Sequence, residues 1–178
     1  VIVGLAPGAH GSNRTGRMFT GDGSGDFLWP ALHAAGLASQ PISRRRDDGM
    51  QATHLWITAA VRCAPPDNKP LPSERDNCAP YLVRELAALS AAHVVVALGA
   101  FGWDAALRTF AALGEPIPAP RPRFAHGAEV RIGRWTLLGS YHVSQQNTFT
   151  GRLTRPMLDA VFARAVGLAG QAGGFASR

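Results

Sequence analysis

Three short apolar runs, each followed by a polar loop rich in glycine and proline, constrain the fold of this chain most. The runs are Val1–Leu5, His54–Val61 and Val94–Leu98. Short apolar runs bounded by turn residues are typical of strands buried on both faces of a sheet. Helical segments separate or follow these runs, at 27–35, from 73 over about 16 residues, at 101–113 and at 154–168. Strands that alternate with helices predict an α/β fold with a mainly parallel central sheet.

Local signals refine this outline. Ser73 is predicted to cap its helix, because Pro72 precedes it and acidic side chains follow in the first turn. Two further runs, Glu129–Ile132 and Trp135–Ser140, predict a hairpin around Gly133. We expect one domain over residues 1–170 and a frayed tail over residues 171–178.

Composition indicates a globular protein with a polyanionic partner. Of the 178 residues, 46% are hydrophobic and 17% are charged, which suits a chain that buries a core. No apolar run is long enough for a transmembrane helix, so we expect no membrane partner. The net charge is +6, and 17 of the 18 basic residues are arginine. A basic domain favours nucleic acid as its partner. The alternative is that the charge reflects composition drift in an arginine-rich proteome. The run from Arg44 to Asp48 is predicted to be a solvated loop.

Three polar loops follow predicted strands, at 6–22, 62–71 and 141–150. In a parallel α/β sheet such loops meet at the carboxyl edge, where sites form. The first has the sequence GLAPGAHGSNRTGRMFTGD over residues 4–22, and its glycines allow backbone N–H groups to approach a ligand. It lacks the GK[ST] of a phosphate-binding P-loop, so we expect no nucleotide cofactor; a tight structural turn is the alternative.

The other two loops contain cysteine and histidine. Cys63 and Cys78 flank a proline-rich segment, and from these residues alone they are buried free thiols, half of a four-cysteine metal site or one disulfide. Without CxxC spacing, the sequence alone favours buried thiols. His142 directly follows a strand and heads the segment YHVSQQNTFTGRLT, which suits a functional loop, although a lone histidine is more often structural.

Together, GLAPGAHGSNRTGRMFTGD, TAAVRCAPPDNKP and YHVSQQNTFTGRLT resemble the signature motifs of the family 5, or B-type, uracil-DNA glycosylases. The resemblance extends from Val1 to about Leu168. It implies a three-layer α/β/α sandwich, a 4Fe–4S cluster, and base-excision repair by hydrolysis of the N-glycosidic bond of uracil. Hypoxanthine and xanthine are further expected bases, since Ala59 stands near the place where several relatives carry a base-reading asparagine.

The resemblance also implies roles for individual residues. Asp22 matches the acidic residue that positions the attacking water, Asn68 a polar pocket residue, and His142 the histidine near the base carbonyl. Phe19 matches the aromatic side chain that stacks on the flipped base. The remaining expected base-binding residues are Ala6, Pro7, Gly8 and Ala9. The expected DNA-binding residues are Arg14, Arg17, Arg62, Gln145, Gln146, Asn147 and Arg152, and the segment 145–149 is predicted to wedge into the gap left by the base.

Cys63 and Cys78 match the second cysteine pair of the 4Fe–4S cluster, and the first pair is expected upstream of Val1. The expected partner is damaged double-stranded, or single-stranded, DNA. We expect a monomeric enzyme of prokaryotic type in the cytoplasm, associated with the nucleoid. Two alternatives are a catalytically inactive nucleic-acid-binding module and a small-molecule enzyme that binds phosphate with the first loop; an abasic-site assay and nucleotide calorimetry would separate them.

Overall fold

A single five-stranded sheet organises the chain. The computed structural model describes residues 1–173 and contains strands β1 (Ile2–Gly4), β2 (Ile57–Ala59), β3 (Val94–Leu98), β4 (Glu129–Ile132) and β5 (Trp135–Ser140). The strand order is β2-β1-β3-β5-β4, and four strands are parallel. Only β4 is antiparallel, paired with β5 through the hairpin at Gly133. The predicted mainly parallel sheet and the hairpin are both confirmed.

Residues 1–173 also form six α-helices, and the four longest of them cover the two faces of the sheet. The six helices are α1 (Ser12–Thr15), α2 (Gly23–Ala34), α3 (Pro72–Ala88), α4 (Ala100–Ala112), α5 (Gln145–Phe149) and α6 (Arg155–Gly173). Helices α2 and α6 contact each other on one face, and α3 and α4 contact each other on the other face. The chain is therefore the predicted three-layer α/β/α sandwich.

The core lies in two apolar layers, one on each side of the sheet. Every residue of β3 and β5 is buried, as the apolar run in β3 predicts for a central strand. Trp29 and Phe162 fill the layer between the sheet and helices α2 and α6. Phe110 and Trp135 stack in the opposite layer, with ring centroids 5.3 Å apart. These layers fix the carboxyl ends of the parallel strands relative to one another.

Two helices begin elsewhere than predicted. Helix α2 begins at Gly23 rather than Phe27, because the Asp22 carboxylate caps it and outweighs the low helix propensity of Gly23 and Gly25. The N-cap of α3 is Leu71, so the prediction that Ser73 caps this helix is wrong. The Glu74 carboxylate accepts the Leu71 N–H at 2.6 Å and occupies the helix start in its place.

The carboxyl-terminal region also differs from the prediction. The segment 145–149 forms the short helix α5 rather than an irregular loop. Helix α6 continues to Gly173, five residues beyond the predicted end and into the predicted tail. The rest of that tail, 174–178, lies outside the described residues. Within the described part of the chain, no helix is both long and apolar enough to cross a membrane.

Candidate active site at the carboxyl edge of the sheet

The three motif loops leave the same edge of the sheet. Strands β1, β2 and β5 run parallel, so the loops that follow them emerge at their carboxyl ends. Strand β3 ends at this edge as well, and Gly99 connects it directly to α4. Sites of α/β proteins form at this edge. Gly23 and Gln145, 122 positions apart in the sequence, are therefore neighbours here.

Asp22 faces the glycine-rich turn of the first loop. One carboxylate oxygen, Oδ1, accepts the backbone N–H of Gly25 at 3.0 Å. The other, Oδ2, points to Gly8 and Gly11, and a methyl group on Gly8 would lie 3.0 Å from it. A methyl group on Gly11 would collide with the same carboxylate. Both glycines are therefore required for the carboxylate to lie against this backbone, with one oxygen left for a ligand.

Phe19 lies beneath the first loop. Its side chain is 5% exposed, and a methyl group on Gly4 would lie 3.0 Å from the edge of its ring. Its backbone has a φ of +52° and is held at both ends: Ser12 Oγ accepts its N–H at 2.9 Å, and its carbonyl accepts the indole N–H of Trp29. The surroundings impose this costly conformation, as often found where a ligand is clamped.

His142 lies at the end of β5 and packs on Gly99. A methyl group on Gly99 would lie 3.3 Å from the His142 Cβ, and its φ of +90° also favours glycine. The Asn147 side-chain amide donates a hydrogen bond to the His142 carbonyl at 2.8 Å. Burial lowers the pKa of His142 from 6.5 to about 4, so the imidazole is neutral at pH 7 and carries one N–H donor.

Helix α5, which is part of the third loop, contacts the end of the first loop. A methyl group on Gly23, the residue after Asp22, would lie 2.6 Å from the Gln145 amide nitrogen. Gln145 therefore lies directly over the start of α2. Gln146 is exposed, and Phe149 at the end of α5 is 81% exposed. Phe149 is therefore accessible to another molecule at the end of the segment that was predicted to wedge into DNA.

The second loop is less tightly connected. Asn68 is exposed at the end of one turn of 3₁₀ helix, Pro66–Asn68, and no hydrogen bond joins its side chain to Asp22 or His142 within the described residues. Asp67 and Asn68 both have positive φ values, +52° and +54°. Two consecutive non-glycine residues in this conformation indicate a loop held in a special shape. The catalytic role of Asn68 stays a prediction.

The two cysteines flank this loop. Cys63 is exposed and Cys78 is half-buried, and both are free, so the alternatives of two buried thiols and of one disulfide are wrong. Cys78 Sγ accepts the backbone N–H of Arg62 at 3.4 Å, which brings the second sulfur next to the backbone that carries the first. Among the described residues, no third histidine, cysteine or carboxylate completes a metal site around them.

Four arginines were predicted to contact DNA, and two of them are already engaged. Arg17 pairs with Asp48, and Arg62 pairs with Glu85 at 2.9 Å. Arg14 donates to the His10 carbonyl but is exposed, and Arg152 is exposed and lies 4.6 Å above the Tyr141 ring. Arg17 and Arg62 are only partly exposed and each holds an ion pair, and their contact with DNA stays a prediction.

The contribution of Gly99 was not recognised from the sequence. A glycine that directly follows an apolar strand is ordinary, and only the approach of His142 distinguishes this one. The structural role of Asn147, which fixes the His142 carbonyl, was also missed, although its spacing of five residues from His142 within one loop was visible.

Comparisons with known proteins agree with this arrangement. The profile of the uracil DNA glycosylase superfamily matches residues 1–165. The type-5 uracil-DNA glycosylase of Mycobacterium bovis is 54% identical over 173 residues, and that of Thermus thermophilus is 52% identical over 171 residues. Each alignment covers 96% of the chain; it spans 63% of the M. bovis protein and 75% of the T. thermophilus protein. A type-4 enzyme of Archaeoglobus fulgidus is 37% identical over 102 residues, 57% of the chain and 43% of that enzyme.

Proposed function

The chain belongs to the uracil DNA glycosylase superfamily, in its type-5 branch, and from this premise we propose that the full-length protein excises uracil from DNA. The observation that carries the proposal is the meeting of the first and third motifs at one edge of the sheet. Asp22 faces the turn from Gly8 to Gly11, and Gln145 covers the residue next to it. His142 stands at the end of a strand in the same sheet.

The leaving base needs a donor for its negative charge. Cleavage of the N-glycosidic bond leaves an anionic base, and a preorganised N–H at the base oxygen stabilises it. His142 fits because burial keeps the imidazole neutral, and because Gly99 and Asn147 fix its backbone. A neutral imidazole suits this task, because it donates a hydrogen bond to the base oxygen without transferring a proton before the negative charge on the base develops. Backbone N–H groups from Gly8 to Gly11 are the second expected set of donors.

The sugar needs a carboxylate and a water. Loss of the base leaves a cationic sugar ring, which Asp22 stabilises while it orients the attacking water. Its Oδ1 is engaged with Gly25, so Oδ2 is the oxygen that performs this role. The carboxylate belongs to the N-cap residue of α2, so its position is fixed by the start of that helix. The base itself reaches this edge only after it is flipped from the duplex.

The walls of the base pocket come from the first loop. We place the base against Ala6, Pro7, Gly8 and Ala9, with the Phe19 ring as its stacking platform. The turn over residues 4–7 contains no carboxylate, and Ala59 lies in the strand that precedes Cys63. Few side chains are therefore available to distinguish uracil from other deaminated bases. We therefore include hypoxanthine and xanthine among the substrates. Phe149, exposed at the tip of α5, is the candidate for the side chain that fills the vacated space in the duplex.

The two cysteines suit a 4Fe–4S cluster in part. Thiolates are the usual ligands of such clusters. Cys63 Sγ is accessible, and Cys78 Sγ already accepts a backbone N–H, the kind of hydrogen bond that tunes cluster sulfurs. Cys63 and Cys78 would hold two iron positions, and cysteines outside this chain would supply the other two. Through Cys63 and Cys78, which flank it, the loop that carries Asn68 would be fixed by such a cluster.

The direct experiment is a base-excision assay on synthetic duplexes. The full-length protein is incubated with matched duplexes that contain uracil, hypoxanthine, xanthine or only normal bases, and abasic sites are cleaved with alkali. We expect cleavage at uracil and at the two purine lesions, with none in the normal duplex. Cleavage at uracil alone would narrow the substrate range. Binding without any abasic product would favour the catalytically inactive module.

A further inference from the structure

A loop with three consecutive arginines lies beside the first motif. We call residues 42–50 the arginine loop; Arg44, Arg45 and Arg46 are all exposed within it. The Gly21 N–H donates to the Ser43 carbonyl at 3.2 Å, one residue before Asp22. A methyl group on Gly21 would lie 3.0 Å from the Arg44 carbonyl and 2.9 Å from the Arg14 guanidinium. The arginine loop therefore borders the candidate active site.

The arginine loop is held in one shape by two side chains. The Arg17 guanidinium donates to the Arg45 and Arg46 carbonyls, to Ser43 Oγ and to the Asp48 carboxylate. The Asp48 carboxylate also accepts the backbone N–H of Arg44 at 2.6 Å and of Arg45 at 3.1 Å. The predicted solvated loop is confirmed for residues 44–47, which are all exposed, whereas the Asp48 side chain is 13% exposed and hydrogen-bonded within the loop. Loops fixed in advance lose less entropy on binding.

Most of the charge in this region has no internal partner. Among the described residues, no carboxylate lies within salt-bridge distance of Arg14, Arg44 or Arg46. Arg45 is 3.8 Å from Asp47, but both side chains are more than 70% exposed, so this pair is weak. The Arg46 guanidinium extends back to the first motif, where a methyl group on Gly16 would lie 3.6 Å from it.

We propose that the arginine loop binds the backbone phosphates of the DNA strand that carries the flipped base. Arg44, Arg45 and Arg46, together with Arg14, form a fixed cationic surface next to Asp22. If the base lies against the first loop, the phosphodiester backbone attached to it must pass beside this surface. This inference therefore rests on the proposed function. Arginine suits phosphate because its guanidinium donates two parallel hydrogen bonds. Arg17 then serves to shape this surface.

The proposed phosphate-binding surface can be tested by the salt dependence of DNA binding. Each phosphate neutralised by the protein contributes about 0.9 to the slope of log K against log salt on duplex DNA. In the full-length protein, the triple variant Arg44→Gln, Arg45→Gln, Arg46→Gln should lower this slope by about 2.7 and weaken binding about tenfold or more near 0.1 M salt. The matched control is Arg84→Gln, Arg123→Gln, Arg131→Gln, which removes the same charge at exposed positions outside the arginine loop.

The outcomes separate the surface from the proposed function. If the control triple changes slope and affinity as much as the arginine-loop triple, the effect is one of net charge and the inference is wrong. If the wild type excises uracil and the arginine-loop triple binds DNA with unchanged slope, the inference fails while the proposed function stands. If the wild type neither excises uracil nor binds DNA, both fail. If the triple variant does not fold, the single variant Arg46→Gln tests the inference instead, with an expected slope change of about 0.9.

Discussion

Protonation of His142 should destabilise the folded protein in mild acid. Burial lowers the pKa of this side chain from 6.5 to about 4 in the folded state, whereas the unfolded chain keeps the ordinary value. The unfolded state therefore binds more protons than the folded state between these two values. The stability that His142 contributes is complete above pH 6.5 and is lost as the pH falls towards 4. Integration over the two pKa values gives a loss of about 2 kcal/mol between pH 7 and pH 5.

The matched variant is His142→Gln, which keeps a hydrogen-bonding side chain but cannot be protonated. The free energy of urea unfolding of the full-length protein is measured at pH 7 and pH 5 for wild type and variant. Carboxylates titrate in both proteins and cancel in the comparison. We expect wild type to lose about 2 kcal/mol more than the variant over this interval.

A nuclear magnetic resonance titration of the imidazole provides an independent check, with an expected midpoint near 4 rather than 6.5. Equal pH dependence in wild type and His142→Gln, or a midpoint near 6.5, would refute the reasoning. The imidazole would then be solvated in the folded state. A solvated imidazole would be protonated in part at pH 6 to 7, and its assignment as a buried neutral donor would fall with it.

Three further predictions concern other parts of the site. Asp22→Asn should reduce single-turnover excision about 100-fold or more while DNA affinity stays within twofold, because the carboxylate acts on the reacting sugar; an equal loss of affinity would contradict this. Cys63→Ser and Cys78→Ser should each lower the iron content of anaerobically purified full-length protein, and zinc in place of iron would indicate a structural zinc site. Asp48→Asn should cost about 2 kcal/mol of unfolding free energy, since it removes the charge that pairs with Arg17 and leaves one acceptor oxygen where the carboxylate uses two. The exposed neighbour Asp47→Asn is its control and should change stability by less than about 0.5 kcal/mol.

Apolar pattern made the sheet predictable. The run Val94–Leu98 is typical of a strand buried on both faces, and the structure places it as β3, with the predicted bounds. The bounds of β4 and β5 were also predicted correctly, since apolar residues and Gly133 mark the hairpin. The starts of α2 and α3 were not predicted correctly, because capping by the Asp22 and Glu74 side chains outweighed local helix propensity.

The site was predictable in its motifs but not in its contacts. The positions of Asp22, His142 and Gln145 at one edge follow from parallel strands, which the sequence indicated. The approach of Asp22 to Gly8 and Gly11, and that of His142 to Gly99, depends on tertiary packing that no local pattern encodes. Arg17 illustrates the limit most clearly: its guanidinium makes five hydrogen bonds within the fold, which no local pattern indicates, and its contact with DNA stays a prediction.

Release of free uracil under single-turnover conditions tests the central claim most directly. Full-length wild type, Asp22→Asn and the double variant Asp22→Asn, His142→Gln are mixed in excess with a uracil-containing duplex, and the released base is quantified by chromatography. The account predicts rapid release of uracil by wild type, release slowed about 100-fold or more by Asp22→Asn, and a further loss in the double variant. Uracil release by the double variant at the wild-type rate would contradict the account, because the chemistry would then lie outside the carboxyl edge of this sheet.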